Sequence, residues 1–243
     1  MKIKRGSSEI EAEMKIRKSK YFFYNYRSIY QSIIPMQYLK DRNSKILDIG
    51  SSGSLLSEIM PQIIRTDIEG KRIDLKLNAM KLPLKNKSID CLVLKDSLHH
   101  IPDVEEFFLE AERVLKDVGV ICVADPYWGP IAKLIFKYFH PEKFDDKVNS
   151  LVFDSSNPWD SNQALLKLIL RNTTMSINIR QNFICEELGP INGLSYILSG
   201  GLYGTQMVPA SLLIKLNEFE LRHSNWLKIF GTLFLVRFKK ITR

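Results

Sequence analysis

The chain has 243 residues, 45% apolar and 26% charged, with a formal charge of +8. These values suit one folded α/β domain with elaborations, and argue against a disordered or fibrous chain. No apolar run reaches the ~18 residues of a membrane span, and the amino-terminal MKIKRGSSEIEAEMKIRKSK lacks the apolar core of a signal peptide, so a cytoplasmic location is expected.

The three cysteines, Cys91, Cys122 and Cys185, lie in apolar runs that read as strands and lack metal-ligand spacing. Buried free thiols are expected. The positive charge would attract nucleic acid, anionic lipid or phosphorylated substrates. Much of the excess, however, falls at the two ends, on Lys2, Lys4, Arg5, Lys239, Lys240 and Arg243.

In chain order, residues 8–20 are mixed in charge and read as helical. An aromatic cluster from Tyr21 to Tyr26 follows, then a helical segment from Ser28 to Leu39. Together they form an expected helical cap, 1–43, whose rings pack it on the sheet edge or help cover a ligand. Residues 44–126 read as a nucleotide-binding core. Ile46–Ile49 is a buried strand, Gly50-Ser51-Ser52-Gly53-Ser54 a turn of small residues, Leu55–Met60 a short helix, and Ile63-Ile64 a second strand closing on Asp67. Ile73–Leu77 alternates as strand three and Ser88–Leu94 forms strand four.

Asp103 opens a helix, with Glu106 three residues on as in a capping box and Val104, Phe107, Phe108, Ala111, Val114 and Leu115 on one stripe. Val120–Ala124 is strand five. Beyond it, Ile131–Phe139 and Gln163–Arg171 read as helices and Ser176–Cys185 as an alternating strand six. A helix begins near Pro209 with Leu212, Leu213, Leu216 and Phe219 turned onto the domain, and Thr232–Phe238 is strand seven. Residues 140–162 and 188–230 are long connections, placing acceptor-side insertions after strands five and six within 127–243.

The turn chemistry narrows the ligand. G-x-G-x-x-G would need glycine at 50, 52 and 55, where the chain has Gly50, Ser52 and Leu55. Asp48, just before the turn, would repel a pyrophosphate but suit a cation. Asp67 follows Gly50 by 17 residues, near the spacing of about 20 for an acid that binds ribose hydroxyls. S-adenosylmethionine, cationic and without phosphate, meets both conditions.

These residues resemble the class I S-adenosylmethionine-dependent methyltransferases, of the type-11-like group. Leu77-Asn78-Ala79-Met80-Lys81-Leu82-Pro83-Leu84, Ser88–Leu94, Leu98-His99-His100-Ile101-Pro102-Asp103 and Arg113-Val114-Leu115-Lys116-Asp117-Val118-Gly119 look like that family's later motifs in order. The resemblance spans residues 44–126. It implies a Rossmann-like, doubly wound sheet of about seven strands with the last antiparallel. It implies a cofactor site of Asp48, Gly50, Ser51, Gly53, Asp67, Ile68, Asn78, Ala79, Met80, Lys95 and Asp96, with Asn78 where the family commonly has Asp. Segments farther on loosely resemble methyltransferases of bacterial surface-polysaccharide gene clusters.

Methyl transfer to an oxygen benefits from a general base. His100 is the first candidate, ahead of His99, with Asp96 and His140 behind them. Acceptor contacts are expected from Tyr127, Trp128, His140, Trp159 and Tyr203, with Glu142, Asp145 and Asp160 accepting from sugar hydroxyls. The expected function is O-methylation of a sugar or glycan precursor, with no metal required. A tRNA, a lipid or a quinone acceptor, or a non-catalytic binding protein, are the alternatives.

Overall fold

A computed structural model describes residues 18–51, 56, 60–70, 73–138, 144, 145, 147, 149–153, 161–172, 174, 176–201 and 204–242. Its centre is a seven-stranded sheet in the order β3-β2-β1-β4-β5-β7-β6. The strands are β1 Ile46–Ile49, β2 Ile63–Asp67, β3 Leu75–Lys76, β4 Ile89–Lys95, β5 Leu115–Pro126, β6 Phe183–Ile191 and β7 Leu233–Lys240. The first five run parallel, and β7 is antiparallel to both β5 and β6. Strand β3 is shorter than its alternating pattern predicts.

Period-two alternation sends the strand residues to opposite faces. Leu47, Ile49, Leu92, Leu94, Ile121 and Val123 meet helix α3 (Val104–Val114) on one face. On the other, Ile46, Cys91, Val93, Cys122 and Ala124 meet helix α1 (Lys20–Ile33). All three cysteines are free and lie in strands, as read, although Cys185 is only half-buried.

Helix α1 corrects the amino-terminal reading. The aromatic cluster is not a prelude to a helix at Ser28; it lies inside one that starts at Lys20, with Ser19 accepting the Phe22 amide as N-cap. Pro35 then breaks the helix and α2 (Met36–Lys40) follows. Helix α3 starts as read, with Asp103 Oδ1 accepting the Glu106 amide at 2.9 Å.

The later elements are α4 Pro130–Tyr138, α5 Leu165–Arg171, α6 Ile177–Asn182, α7 Leu194–Leu198, α8 Ala210–Arg222 and α9 Ser224–Phe230. The stretch read as strand six is therefore mostly helix, with β6 beginning only at Phe183. Ile177 and Ile179 alternate, but a helical turn also accommodates them: Ile179 is buried and Ile177 is 53% exposed.

Two motif residues turn out to brace the frame. The Arg113 guanidinium donates to the carbonyls of Leu82 and Leu84 at 2.8 Å and to Glu110, and Glu110 in turn accepts the Leu82 amide. A Cβ on Gly119 would come within 2.9 Å of the Leu115 side chain, so the chain keeps that glycine although Val118 stands where the family has another. Arg113→Leu should lower stability by ~2 kcal/mol, since it leaves two carbonyls without their charged donor. Urea denaturation should show a lower midpoint at unchanged slope. Val118→Ala, at a position 72% exposed, should change it by less than ~0.5 kcal/mol.

Candidate cofactor and acceptor site

The carboxyl ends of β1, β2, β4 and β5 lie along one edge of the sheet, at the switch between β1 and β4 where ligands of open α/β sheets bind in a crevice. Asp48 stands in β1 opposite Arg65 of β2 and Val93 of β4. It is 1% exposed. The Tyr30 hydroxyl donates to its Oδ2 at 3.1 Å, while Oδ1 is buried with no hydrogen-bond partner among the described residues. Burial pushes its carboxyl up to about 7, although the Tyr30 hydrogen bond and the Lys95 ammonium pull it down.

The Gly50 turn is set by other groups. The Gly50 and Ser51 amides both donate to the Thr66 carbonyl, at 2.9 and 3.0 Å, and Ser97 Oγ donates to the Ile49 carbonyl at 2.7 Å. Gly50 has φ +74°, and a Cβ there would come within 2.6 Å of Ser97 Cβ. Glycine is required on both counts. Ser51 Oγ is buried and, among the described residues, unpaired.

At the end of β4, Lys95 forms an ion pair with Asp96, and its ammonium lies 4.1 Å from the centre of the Tyr26 ring. Burial alone would lower the lysine's pKa, but Asp96 and Tyr26 outweigh it and the group is held charged. Asp96 takes φ +52° to make that turn. Asp67 accepts the Ile68 amide at 2.7 Å, and its carbonyl accepts the Leu77 amide at 2.9 Å, bringing Asn78 alongside. Ile68 is 58% exposed. Asn78 Oδ1 accepts the Met80 amide at 2.9 Å, so it closes a turn through Ala79 and keeps only its second lone pair for a ligand.

Past β4, a 3₁₀ turn spans Leu98–His100. His99 is buried, with Nδ1 2.9 Å from Oδ1 of Asp125, itself fully buried at the end of β5. The His100 ring lies 4.3 Å from that of His99. The buried carboxylate of Asp125 thus sits on Nδ1 of His99. Asp125 was not among the sequence candidates; the signal for it was a lone acid ending the apolar run Val120–Ala124.

Tyr26 and Tyr30 were missed as individual site residues too. They lie four apart, with Phe22, on the buried face of α1, a spacing visible once the helix is started at Lys20.

Tyr127 and Trp128 are half-buried and turned onto β7. Tyr127 stacks on Phe234 at 5.5 Å, and Trp128 lies between Phe234 at 4.9 Å and the Arg171 guanidinium at 5.3 Å. These are packing contacts. Gly53, His140, Trp159 and Tyr203, with Ser52, Glu142 and Asp160, lie outside the described residues.

A parallel sheet with this strand order, closed by an antiparallel β7 and carrying an acid before a glycine turn, defines a Rossmann-like methyltransferase fold. Residues 47–123 match the family model described as a methyltransferase domain. A ubiquinone biosynthesis O-methyltransferase of Pelagibacter ubique is 29% identical over 34% of the chain and 42% of its own length. A protein of Mycobacterium tuberculosis described as a probable S-adenosylmethionine-dependent methyltransferase is 23% identical, over 56% of the chain and 55% of its own. The chain thus spans about half the length of these curated relatives.

Among solved structures, a methyltransferase from Thermotoga maritima superposes with a TM-score of 0.55 at 13% identity, covering 95% of both chains. One from Archaeoglobus fulgidus gives 0.53 at 16%, covering 94% of this chain and 97% of its own.

S-adenosylmethionine is the cofactor of that family, and the crevice fits it. A cation suits a buried carboxylate with one oxygen unpaired. A pyrophosphate suits it less, since the carboxylate would repel it and the described turn amides, of Gly50 and Ser51, are already bonded to Thr66.

Asp48 also makes stability depend on pH. Its folded pKa is raised, so between about pH 4 and 7 the folded state holds a proton that the unfolded state has lost, and stability falls as pH rises. Asp48→Asn should remove that slope. Relative to wild type it should gain up to ~4 kcal/mol between pH 4 and 8 in urea denaturation.

Proposed function

We propose that the chain, acting as one domain, transfers the methyl group of S-adenosylmethionine to an oxygen of a sugar or glycan precursor. The observation that carries the oxygen acceptor is the His99–Asp125 pair. A carboxylate only accepts, so His99 Nδ1 carries the proton and Nε2 keeps its lone pair. His99, rather than the sequence-favoured His100, then takes the acceptor's hydroxyl proton, and Asp125 stabilises the imidazolium that forms. Asp48 receives the cationic end of the cofactor, Gly50 and Ser51 line its approach, and Asp67 accepts from its ribose. When bound, the cofactor supplies a methyl group already activated by its sulfonium. The protein's share is alignment, exclusion of water through the α1 cap, and proton removal. The Pelagibacter relative is also named as an O-methyltransferase, which supports an oxygen acceptor without specifying a sugar.

Calorimetry should find binding of S-adenosylhomocysteine and none of NAD. Asp67→Ala should weaken that binding at least tenfold, about 1.4 kcal/mol. His99→Ala should slow transfer by ~100-fold or more while leaving cofactor affinity nearly unchanged. With labelled cofactor and fractionated extract of the source organism, label should enter material released by glycosidase. Label lost on ribonuclease treatment would move the acceptor to RNA, and label extracted into organic solvent as a small lipid or quinone would move it there. Absence of any turnover, with the cofactor still bound, would leave a binding protein.

A further inference from the structure

Helix α8 buries polar side chains beside one leucine and leaves part of its apolar stripe outward. The inward residues are Leu213, Asn217 and Glu220. Glu220 accepts the Ser195 hydroxyl at 2.6 Å and amide at 3.2 Å, and Asn217 Nδ2 donates to the same hydroxyl at 3.2 Å. Of the stripe read from sequence as packed on the domain, Leu213 is buried and Leu216 half-buried, but Leu212 and Phe219 are turned outward, 55% and 45% exposed.

Helix α9 continues that surface. Leu227 points inward, while Trp226 and Ile229 are each 49% exposed. Helix α9 packs in turn against α4, where Leu134 and Tyr138, four residues apart, are 52% and 64% exposed. Lys137, Lys215, Arg222 and Lys228 are exposed among these rings, and on α8 and α9 the exposed acid is Glu218, Glu220 being buried.

Adjoining helices with this much outward apolar and aromatic side chain mark an interaction surface. Phe, Trp and Leu flanked by Lys and Arg is the composition of helices that lie in a bilayer interface, with Trp at headgroup level and cations drawn to anionic lipid. A second copy docked by a two-fold would set Lys215, Arg222 and Lys228 against a like-charged face, which disfavours it. Among the described residues no helix is long and apolar enough to cross a membrane, so contact is by lying on the surface.

We propose that α4, α8 and α9 form a docking surface for an anionic phospholipid bilayer. It adjoins the crevice: Tyr127, two residues past Asp125, donates its hydroxyl to the Lys228 carbonyl at 3.4 Å, and α8 packs on α1, which carries Tyr30 to Asp48. The inference does not depend on the identity of the methyl acceptor.

Sedimentation of the full chain with phosphatidylcholine vesicles, with and without phosphatidylglycerol, tests it. Binding is expected to the anionic vesicles, at least about tenfold weaker to the neutral ones, and weakened by salt. Phe219→Ser/Trp226→Ser should lose anionic binding by about tenfold or more, and Lys215→Glu/Arg222→Glu should abolish the preference for anionic lipid. Unchanged S-adenosylhomocysteine binding and unfolding midpoint would show both variants folded. Were cofactor binding absent even in wild type, the methyltransferase reading would fail separately from this one. No vesicle binding by wild type, or equal binding by the serine variant, would overturn the proposal. So would a dimer in sedimentation velocity that the serine variant dissolves, since that assigns the face to a second copy.

Discussion

The site depends on one carboxylate kept out of water. Asp48 sits in a strand buried along its whole length, with a single tyrosine hydroxyl on one oxygen and none of the described donors on the other. An isolated buried carboxylate neutralises itself or finds a cation. A pKa near 7 leaves Asp48 poised between the two. An arriving cation would therefore meet a receptor already desolvated and oriented, whose proton leaves as the ligand enters.

The rest of the fold keeps that carboxylate in place. Parallel pairing to β2 and β4 fixes its height in the sheet, and helix α1 seals one side with Tyr21, Phe22, Tyr26 and Tyr30. Thr66 ties the strand to the turn: its hydroxyl donates to the Asp48 carbonyl at 2.8 Å while its own carbonyl takes the Gly50 and Ser51 amides. The same sheet carries His99 and Asp125 on the neighbouring strand ends. The proposed cofactor pole and proton acceptor are thus set by adjacent strands, so their alignment would be a property of the sheet.

The strands and the Asp103 helix described between Ile46 and Ala124 were legible in the sequence because local signals agreed with each other, while the helix expected at Leu55–Met60 lies mostly outside the described residues. Apolar runs of strand length, a glycine turn and the Asp103 cap each specify one structure. The amino-terminal helix was read too late because its aromatic run masks an ordinary helical stripe, which shows only when Ser19 is taken as the cap. Around Ser176–Cys185 the apolar residues are too few to distinguish period 2 from period 3.6. Helix α8 was read correctly at Leu213 and wrongly at Leu212 and Phe219, because hydrophobic periodicity identifies a face but not what covers it. There the buried face is held by Glu220 and Asn217 bonding to Ser195, an arrangement that depends on contacts far apart in sequence. The same limit hid the His99–Asp125 pair, whose members lie 26 residues apart.

The most direct test of the account is the proton balance of cofactor binding. Titration of S-adenosylmethionine at pH 6, in buffers of different ionisation enthalpy, measures the protons released per ligand bound. The account predicts close to one proton from the wild-type chain and none from Asp48→Asn. Binding without proton release in wild type, or equal release from the variant, would contradict it.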